Sequence, residues 1–334
     1  MFGKMMNRYY YGKSGKGDYT TEDLPQTRWA LFWEMLRVRF SSLFRLNLIY
    51  MVAWLPAILV IGRGLMMAYS GIVNVSELQL QAEAGEIAAE MFTEANATLG
   101  EAFKAILMQT LILLVPAIAI TGPFTAGISY VTRNWARDEH AFIWSDYWDA
   151  VKSNWKQGLL TSAITGFVPL LLYVCITFYG QMAADNVLFI VPQMLVVVMG
   201  VLWLCSLMYM YPQMVTYTLN YRGLVRNSLI MAVGRLPMTV ALKLLSVVPT
   251  LIAVAVGLLT PYAVYAAMVL GLYYILLGFA LSRFVGASYA NAVFDRYINI
   301  NIEGAQIGRG LYVESDEDEE AEEEASEDVS APEA

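Results

Sequence analysis

The chain has 334 residues, of which 58% are hydrophobic and 15% are charged, and its formal net charge is −8. About a quarter of the residues in an ordinary soluble domain are charged, so this composition argues against a soluble globular protein. Twelve of the 29 acidic residues lie within residues 314–334, and the rest of the chain is slightly basic. The composition therefore indicates a chain that folds in a lipid bilayer.

Residues 1–45 are predicted to form a cytoplasmic N-terminal segment that contains an amphipathic helix at the membrane surface. Trp29 and Trp33 begin a series of large apolar residues that recur every three or four positions, which places them on one helix face. Tryptophan prefers the headgroup level of a bilayer, where basic side chains also meet anionic lipids. Trp29 and Trp33 are therefore candidate interfacial anchors.

Residues 46–300 are predicted to form a transmembrane domain of six helices. A helix needs about 20 apolar residues to cross the hydrocarbon core of a bilayer, and six stretches of the chain meet this requirement. These stretches are continuously apolar, whereas the strands of a membrane barrel alternate between apolar and polar residues. The predicted spans are Leu46–Tyr69, Phe103–Val131, Leu159–Tyr179, Val187–Tyr211, Val240–Leu259 and Tyr262–Leu281.

The connections between these spans alternate between basic and non-basic. The first connection, residues 70–102, has six glutamates and no base, and the third and fifth connections also lack bases. The N-terminal segment, the second and fourth connections and the C-terminal side all contain Lys or Arg. Because basic connections stay on the cytoplasmic side, both termini are predicted to be cytoplasmic, and residues 70–102 are predicted to be an acidic extracytoplasmic connection.

Residues 301–334 are predicted to be a cytoplasmic, disordered and acidic tail. From Glu314 onward, this segment is a block of like charges without aromatic residues. Such a block buries too little apolar surface to offset the entropy of folding.

A weak internal repeat suggests three copies of one unit, each an interfacial helix followed by a hairpin of two spans. Trp148 and Trp155 are the candidate interfacial anchors of the second unit. Proline bends a helix, and glycine lets neighbouring helices approach closely. Coincidental similarity among amphipathic helices near a membrane is the alternative to a repeat. The candidate structural motif residues are Gly122, Pro123, Gly127, Pro56, Pro169, Pro212 and Pro249.

The sequence indicates no catalytic, cofactor-binding or metal site. His140 is the only histidine, and Cys175 and Cys205 lie in separate apolar runs, so no metal-ligand spacing is present. No nucleophile and base form a recognisable set, and the basic residues are too dispersed to favour nucleic acid. The chain is therefore predicted not to be an enzyme, to need no cofactor, and to have the lipid bilayer as a partner.

The spans contain a few polar residues and almost no ionisable ones. Ion-coupled transport usually leaves ionisable residues at mid-membrane depth, so their scarcity argues against that class of transporter. The polar residues suit either packing between helices or the lining of a passage for a neutral solute. They are Gln109, Thr110, Thr161, Ser162, Thr165 and Gln193.

Several short stretches of the chain together form a recognisable pattern. They are Thr121–Gly127, Tyr130, Arg133, Phe142 and Trp155-Lys156, together with Leu46-Asn47-Leu48, Trp54-Leu55-Pro56, Arg226-Asn227 and Leu236-Pro237. In these stretches the chain resembles the YesL-like family of multi-pass bacterial membrane proteins, and the resemblance covers residues 29–295. It implies a bacterial plasma-membrane protein of undefined biochemical activity, whose relatives are often encoded beside carbohydrate uptake and sensing systems.

Two functions follow as expectations. The first is an accessory or regulatory protein that works with components of a carbohydrate import or sensing system. The alternative is a transporter or channel for a small neutral solute, which would need a water-sized passage lined by the polar residues of the second to fourth spans.

Overall fold

The structure, a computed structural model, describes residues 24–312, which contain helices and no strand. A π-helical turn occupies Tyr274–Gly278, and single 3-10 turns occupy Val187–Phe189 and Asn299–Asn301. The α-helices of this part of the chain are α1 (Arg28–Glu83), α2 (Ala89–Trp135), α3 (Ser145–Asp185), α4 (Ile190–Thr216), α5 (Tyr221–Gly234), α6 (Leu236–Leu259), α7 (Ala263–Tyr273) and α8 (Phe279–Tyr297).

Six helical segments within residues 24–312 are long and apolar enough to cross a membrane. Each of the six predicted spans falls on one of these segments. The prediction of an all-α, polytopic membrane protein is therefore confirmed. The six segments are α1, α2, α3, Val187–Thr216, α6 and Ala263–Asn301.

Both ends of the described chain meet at one end of the helix bundle. Arg28, at the start of α1, contacts Asp295 near the end of α8. The guanidinium of Arg137, just after α2, donates a hydrogen bond to the carbonyl of Gln306. We call this part of the molecule the basic end, and it is formed by residues 24–50, 121–158, 205–240 and 279–312.

Most of the fully buried large side chains lie at the basic end. An apolar cluster there joins α1, α2, α3 and α8, and two further clusters join α4 to α2, α5 and α8. By contrast, α7 has no buried residue and α6 has one, Thr239. The bundle is therefore tightly packed at the basic end, while its fifth and sixth spans leave broad apolar faces exposed.

The opposite end of the molecule is a helical hairpin formed by α1 and α2. Because α1 has 56 residues at about 1.5 Å each, it is far longer than the ~30 Å hydrocarbon core of a bilayer. The two helices extend past the predicted spans to a turn at residues 84–88, where Gly85 has a φ of +74°. We call residues 70–102 the acidic hairpin, and its six glutamates are exposed.

Two of the three predicted interfacial helices are continuous with the spans that follow them. In α1 and α3 the amphipathic stretch runs into the apolar stretch without a break, so the predicted boundary at residue 46 falls inside a helix. Only the third unit has a separate helix, α5. Pro237 explains this difference, because it stands at the start of α6 and cannot donate a backbone hydrogen bond to a continuing helix.

Residues 301–312 also differ from the predicted disordered tail. Arg309 pairs with Glu139, and the backbone N–H of Tyr312 donates to the carbonyl of Pro25. Gly310 lies against the backbone of Arg137, in a left-handed conformation that glycine adopts without strain. These contacts fix the segment to the basic end, and the predicted tail from residue 313 onward lies outside the described residues.

Candidate functional site at the α2–α3 crossing and the basic end

Gly122 of α2 and Gly158 of α3 face each other where the two helix backbones touch. A Cβ atom built on Gly122 would lie 2.0 Å from the carbonyl oxygen of Gly158. A Cβ atom on Gly158 would lie 2.8 Å from the carbonyl oxygen of Gly122. Only glycine fits at these positions, because small residues permit this close approach of two helices. The structure thus places Gly122 at a backbone-to-backbone crossing.

Two more glycine contacts extend this crossing along α2 and α3. A Cβ atom on Gly127 would lie 2.7 Å from a side-chain carbon of α3, and one on Gly166 would lie 2.9 Å from the carbonyl oxygen of Val115. Gly127 was among the predicted structural motif residues, whereas Gly158 and Gly166 were not. The signal was present, because Gly158, Ser162 and Gly166 recur every four residues, a spacing typical of close helix packing.

The predicted prolines lie inside helices and are distributed over five of them. Pro123 follows Gly122 at the crossing, and Pro212 is buried in α4 at the basic end. The remaining prolines, in α1, α3 and α6, are half-buried; they are Pro56, Pro169 and Pro249.

Three of the four predicted tryptophan anchors have exposed side chains. Trp29, Trp33 and Trp155 are exposed to 68%, 52% and 49%. Trp148 is half-buried instead, and its ring packs edge-on against Phe124 of α2 at 5.9 Å. Trp148 therefore contributes to packing between α2 and α3, and membrane anchoring by the other three stays a prediction.

Pairs of side-chain hydroxyl groups form hydrogen bonds between different membrane-length helical segments. In each pair a tyrosine hydroxyl forms a short hydrogen bond with a Ser or Thr hydroxyl on another helix, which satisfies two polar groups in an apolar setting. The pairs are Tyr50–Thr125 at 2.7 Å, Ser162–Tyr211 at 2.7 Å, Tyr209–Thr239 at 2.6 Å and Thr250–Tyr274 at 2.7 Å.

Most of the polar residues considered for a solute passage bond to a neighbouring helix, whereas the hydroxyl of Thr110 bonds to the carbonyl of Ile106 in its own helix. Gln109 of α2 accepts a hydrogen bond from Arg63 of α1 at 3.1 Å. Thr165 of α3 accepts one from the indole N–H of Trp203 at 3.1 Å, and Gln193 of α4 donates to a backbone carbonyl of α3 at 3.3 Å. These last three groups therefore each connect two helices.

Asn47 is fully buried and completes the hydrogen bonding of the π-helical turn in the sixth span. Its amide nitrogen donates to the carbonyls of Tyr274 and Ile275 at 2.8 and 2.7 Å, and its amide oxygen accepts from the backbone N–H of Ala280 at 2.8 Å. A π-helical turn interrupts the regular α-helical pattern of hydrogen bonds. The single side chain of Asn47 therefore satisfies three backbone groups and ties α1 to the sixth span.

Three arginines surround one glutamate in the loop after α2. Glu139 lies 3.4 Å from Arg133, 3.3 Å from Arg137 and 3.4 Å from Arg309. The neighbouring Asp138 has a φ of +55°, and burial raises the pKa of its carboxyl despite the opposing effect of nearby arginines. This network connects the end of α2 to the segment that precedes the acidic tail.

A second polar group ties the start of α1 to the end of α8. The buried carboxylate of Asp295 accepts hydrogen bonds from Arg28 at 2.7 Å, from Asn299 at 2.5 Å and from the backbone N–H of Gly308 at 3.1 Å. Asn299 in turn accepts from the hydroxyl of Tyr217 at 2.6 Å. The group holds α1, α4, α8 and the C-terminal segment in one arrangement.

Two basic side chains lie inside the membrane-length helices; Arg283 is one of the bases of the C-terminal side that indicated the orientation, whereas Lys243 was missed in the sequence. Lys243 lies in α6, just inside the predicted fifth span, and Arg283 lies in α8. The guanidinium of Arg283 lies over the ring of Tyr211, 5.4 Å from its centre. The positive charges of Lys243 and Arg283 repel each other. Both positions were visible in the sequence as bases at the margins of apolar runs.

The basic end also contains cavities. One of about 500 Å³ lies between α5 and the end of α8, and another of about 330 Å³ lies between α2, α3 and α4 with Asp146 and Asp149 on its lining. Within residues 24–312, no three His, Cys, Asp or Glu side chains come together as metal ligands.

Comparison with known protein families gives a match to the second and third helices. Residues 102–176 match a family described as "Protein of unknown function, DUF624". The matched segment contains most of α2 and α3, and therefore the crossing at Gly122 and Gly158. No curated protein and no solved structure matches the chain. Over most of its second and third helices, the chain is thus similar to a family whose function is unknown.

Proposed function

We propose that this chain is an accessory or regulatory protein of the bacterial plasma membrane that works with a carbohydrate import or sensing system. The resemblance to YesL-like proteins supplies the link to carbohydrate. The observation that carries an accessory role is the pairing of polar groups between helices. The hydroxyl pairs and the bonds of Gln109, Thr165 and Gln193 use these groups to hold helices together.

The charge distribution supports an orientation with the basic end in the cytoplasm. The basic end holds the arginines around Glu139 and the bases of α5, whereas the acidic hairpin has no base. Bases next to membrane spans are retained on the cytoplasmic side. In this orientation the acidic hairpin projects outward, where solute-binding components of an importer meet the membrane.

The exposed faces of α6 and α7 support lateral association with a partner. These two helices have one buried residue between them, so most of their apolar surface is not used within the chain. In a bilayer this surface is covered either by lipid or by helices of another protein, and helix association there depends on packing.

Two measurements on the full chain test this proposal. Purified in mild detergent from its native membrane, the chain is expected to bring down the subunits of a carbohydrate importer or sensor. Reconstituted alone into vesicles, it is expected to move labelled sugars no faster than empty vesicles do. A chain that is always recovered alone, and that moves a neutral solute by itself, would contradict the proposal and establish the transporter alternative.

A further inference from the structure

The second half of the membrane domain carries positive charge without any negative charge. From Val187 to Phe294 the sequence has no Asp or Glu, and its bases are Arg222, Arg226, Arg235, Lys243 and Arg283. The ion pairs found within residues 24–312 involve none of these five bases. Bases without carboxylate partners at the edge of a bilayer attract the phosphates of anionic lipids.

One of these bases lines the cavity of about 500 Å³ at the basic end. The cavity lies between residues 227–235, at and just after the end of α5, and residues 293–302, at and just after the end of α8, and we call it the α5–α8 groove. Its walls are mainly apolar, and Arg235 is the charged residue on its lining. The groove therefore combines room for a hydrocarbon chain with one fixed positive charge.

Arg235 and Arg296 place two positive charges on one aromatic ring. The guanidinium of Arg235 lies 5.2 Å from the centre of the Tyr297 ring and donates to its hydroxyl, and that of Arg296 lies 5.9 Å from the same ring. Asp295, the nearest acid in sequence, is instead engaged by Arg28. A guanidinium without a carboxylate partner is a strong hydrogen-bond donor to a phosphate.

The start of α6 adds a further attraction for an anion. Arg235 stands in the break between α5 and α6, and no side chain caps the N-terminus of α6, a helix of 24 residues. Pro237 provides no N–H group at this end, but the helix dipole there favours a negative charge. Because α6 is a membrane span, this end of the helix lies at headgroup depth.

The surroundings of the groove are apolar and exposed. Ile230 and Val233 of α5 are exposed to 58% and 56%, and Ile302 beyond α8 is exposed to 44%. A free phosphate would satisfy the arginines but leave this apolar surface in water. A phospholipid satisfies both, because its phosphate and its acyl chains are joined in one molecule.

We propose that the α5–α8 groove binds an anionic phospholipid, with the lipid phosphate at Arg235 and an acyl chain along the apolar wall of the groove. The chain's own acidic segment, residues 314–334, is the competing occupant. That segment has carboxylates that could pair with the arginines. Because Val329 is its only large apolar residue, it could not cover the apolar wall of the groove.

Lipid titration of the delipidated full chain in mild detergent tests this assignment. Bound lipid is counted by native mass spectrometry, with phosphatidylglycerol compared with phosphatidylcholine of the same acyl chains. Phosphatidylglycerol is expected to bind more tightly, and Arg235→Gln to weaken it by about tenfold, the loss of one charged hydrogen bond. Arg226→Gln removes an exposed base of α5 that does not line the groove, so the binding should change by less than about twofold.

Further variants separate the possible occupants. Arg296→Gln, at an exposed position, serves as a second variant in case Arg235→Gln folds poorly. It should also weaken the binding of phosphatidylglycerol. Equal binding of both lipids, or equal loss in the Arg226→Gln control, would overturn the proposal. So would displacement of the lipid by inorganic phosphate at equal concentration. Exchanging the twelve tail acids for Gln and Asn should leave lipid affinity unchanged, and a large gain there would identify the tail as the occupant instead.

Discussion

Gly122→Ala is expected to lower the free energy of unfolding by about 3 kcal/mol or more, because its new methyl group would overlap a backbone oxygen. The Cβ atom would lie 2.0 Å from the carbonyl oxygen of Gly158. A backbone carbonyl inside a long helix has no rotamer to change, so α2 and α3 must separate along their whole crossing. Thermal unfolding of the purified chain in mild detergent measures the effect.

Two other glycines provide a graded series and a control for this prediction. Gly158→Ala meets the carbonyl oxygen of Gly122 at 2.8 Å, so its cost should be smaller than that of Gly122→Ala. Gly100→Ala lies in the same helix, α2, with nothing within 4 Å of its Cβ atom. That control should be neutral or stabilising by up to about 1 kcal/mol through helix propensity. If Gly122→Ala and Gly100→Ala were equally stable, the helix backbones would not be in contact at Gly122 and Gly158.

Asn47→Leu is expected to cost about 3 kcal/mol, because it removes three hydrogen bonds to backbone groups of the sixth span, at about 1 kcal/mol each. Leucine is similar in size to asparagine, so the loss of stability measures the missing hydrogen bonds more than a change in packing. The groups are the carbonyls of Tyr274 and Ile275 and the N–H of Ala280. Hydrogen exchange of the peptide around residues 274–284 should accelerate along with the loss of thermal stability.

Thr177→Val is the matched control for this substitution. The hydroxyl of Thr177 is exposed and bonds only to the carbonyl of Tyr173 in its own helix at 2.8 Å. Its removal should change stability by less than about 0.5 kcal/mol and leave exchange in the sixth span unaltered. If Asn47→Leu behaved like this control, the side chain of Asn47 would not be holding the π-helical turn.

The six spans were predictable because hydropathy belongs to each segment by itself. An apolar run must be covered by lipid or protein wherever it lies, so Leu46–Tyr69 and its five counterparts are recognisable without any knowledge of their neighbours. Helix ends were less predictable. The sequence offers no proline between the amphipathic and apolar parts of α1, and the helix therefore continues where a boundary was expected, whereas Pro237 does separate α5 from α6.

The contacts between helices could be predicted only in part. Gly122 stood out because a glycine beside a proline in an apolar run is conspicuous, but its partner Gly158 is defined only when α2 and α3 are brought together. The role of Asn47 depends on a π-helical turn more than 200 residues away in sequence. The pairing of Arg309 with Glu139 likewise joins distant segments. Such long-range pairs leave no periodic signal in a single sequence.

Site-specific labelling tests most directly whether the chain crosses a bilayer with its basic end inside the cell. In a background with Cys175→Ala and Cys205→Ala, a single cysteine is introduced at the exposed position Glu86 of the acidic hairpin or at Asp149 of the basic end. A membrane-impermeant maleimide should label Glu86→Cys on intact cells, and Asp149→Cys only after the membrane is permeabilised. Labelling of Asp149→Cys on intact cells, with Glu86→Cys protected, would contradict the account.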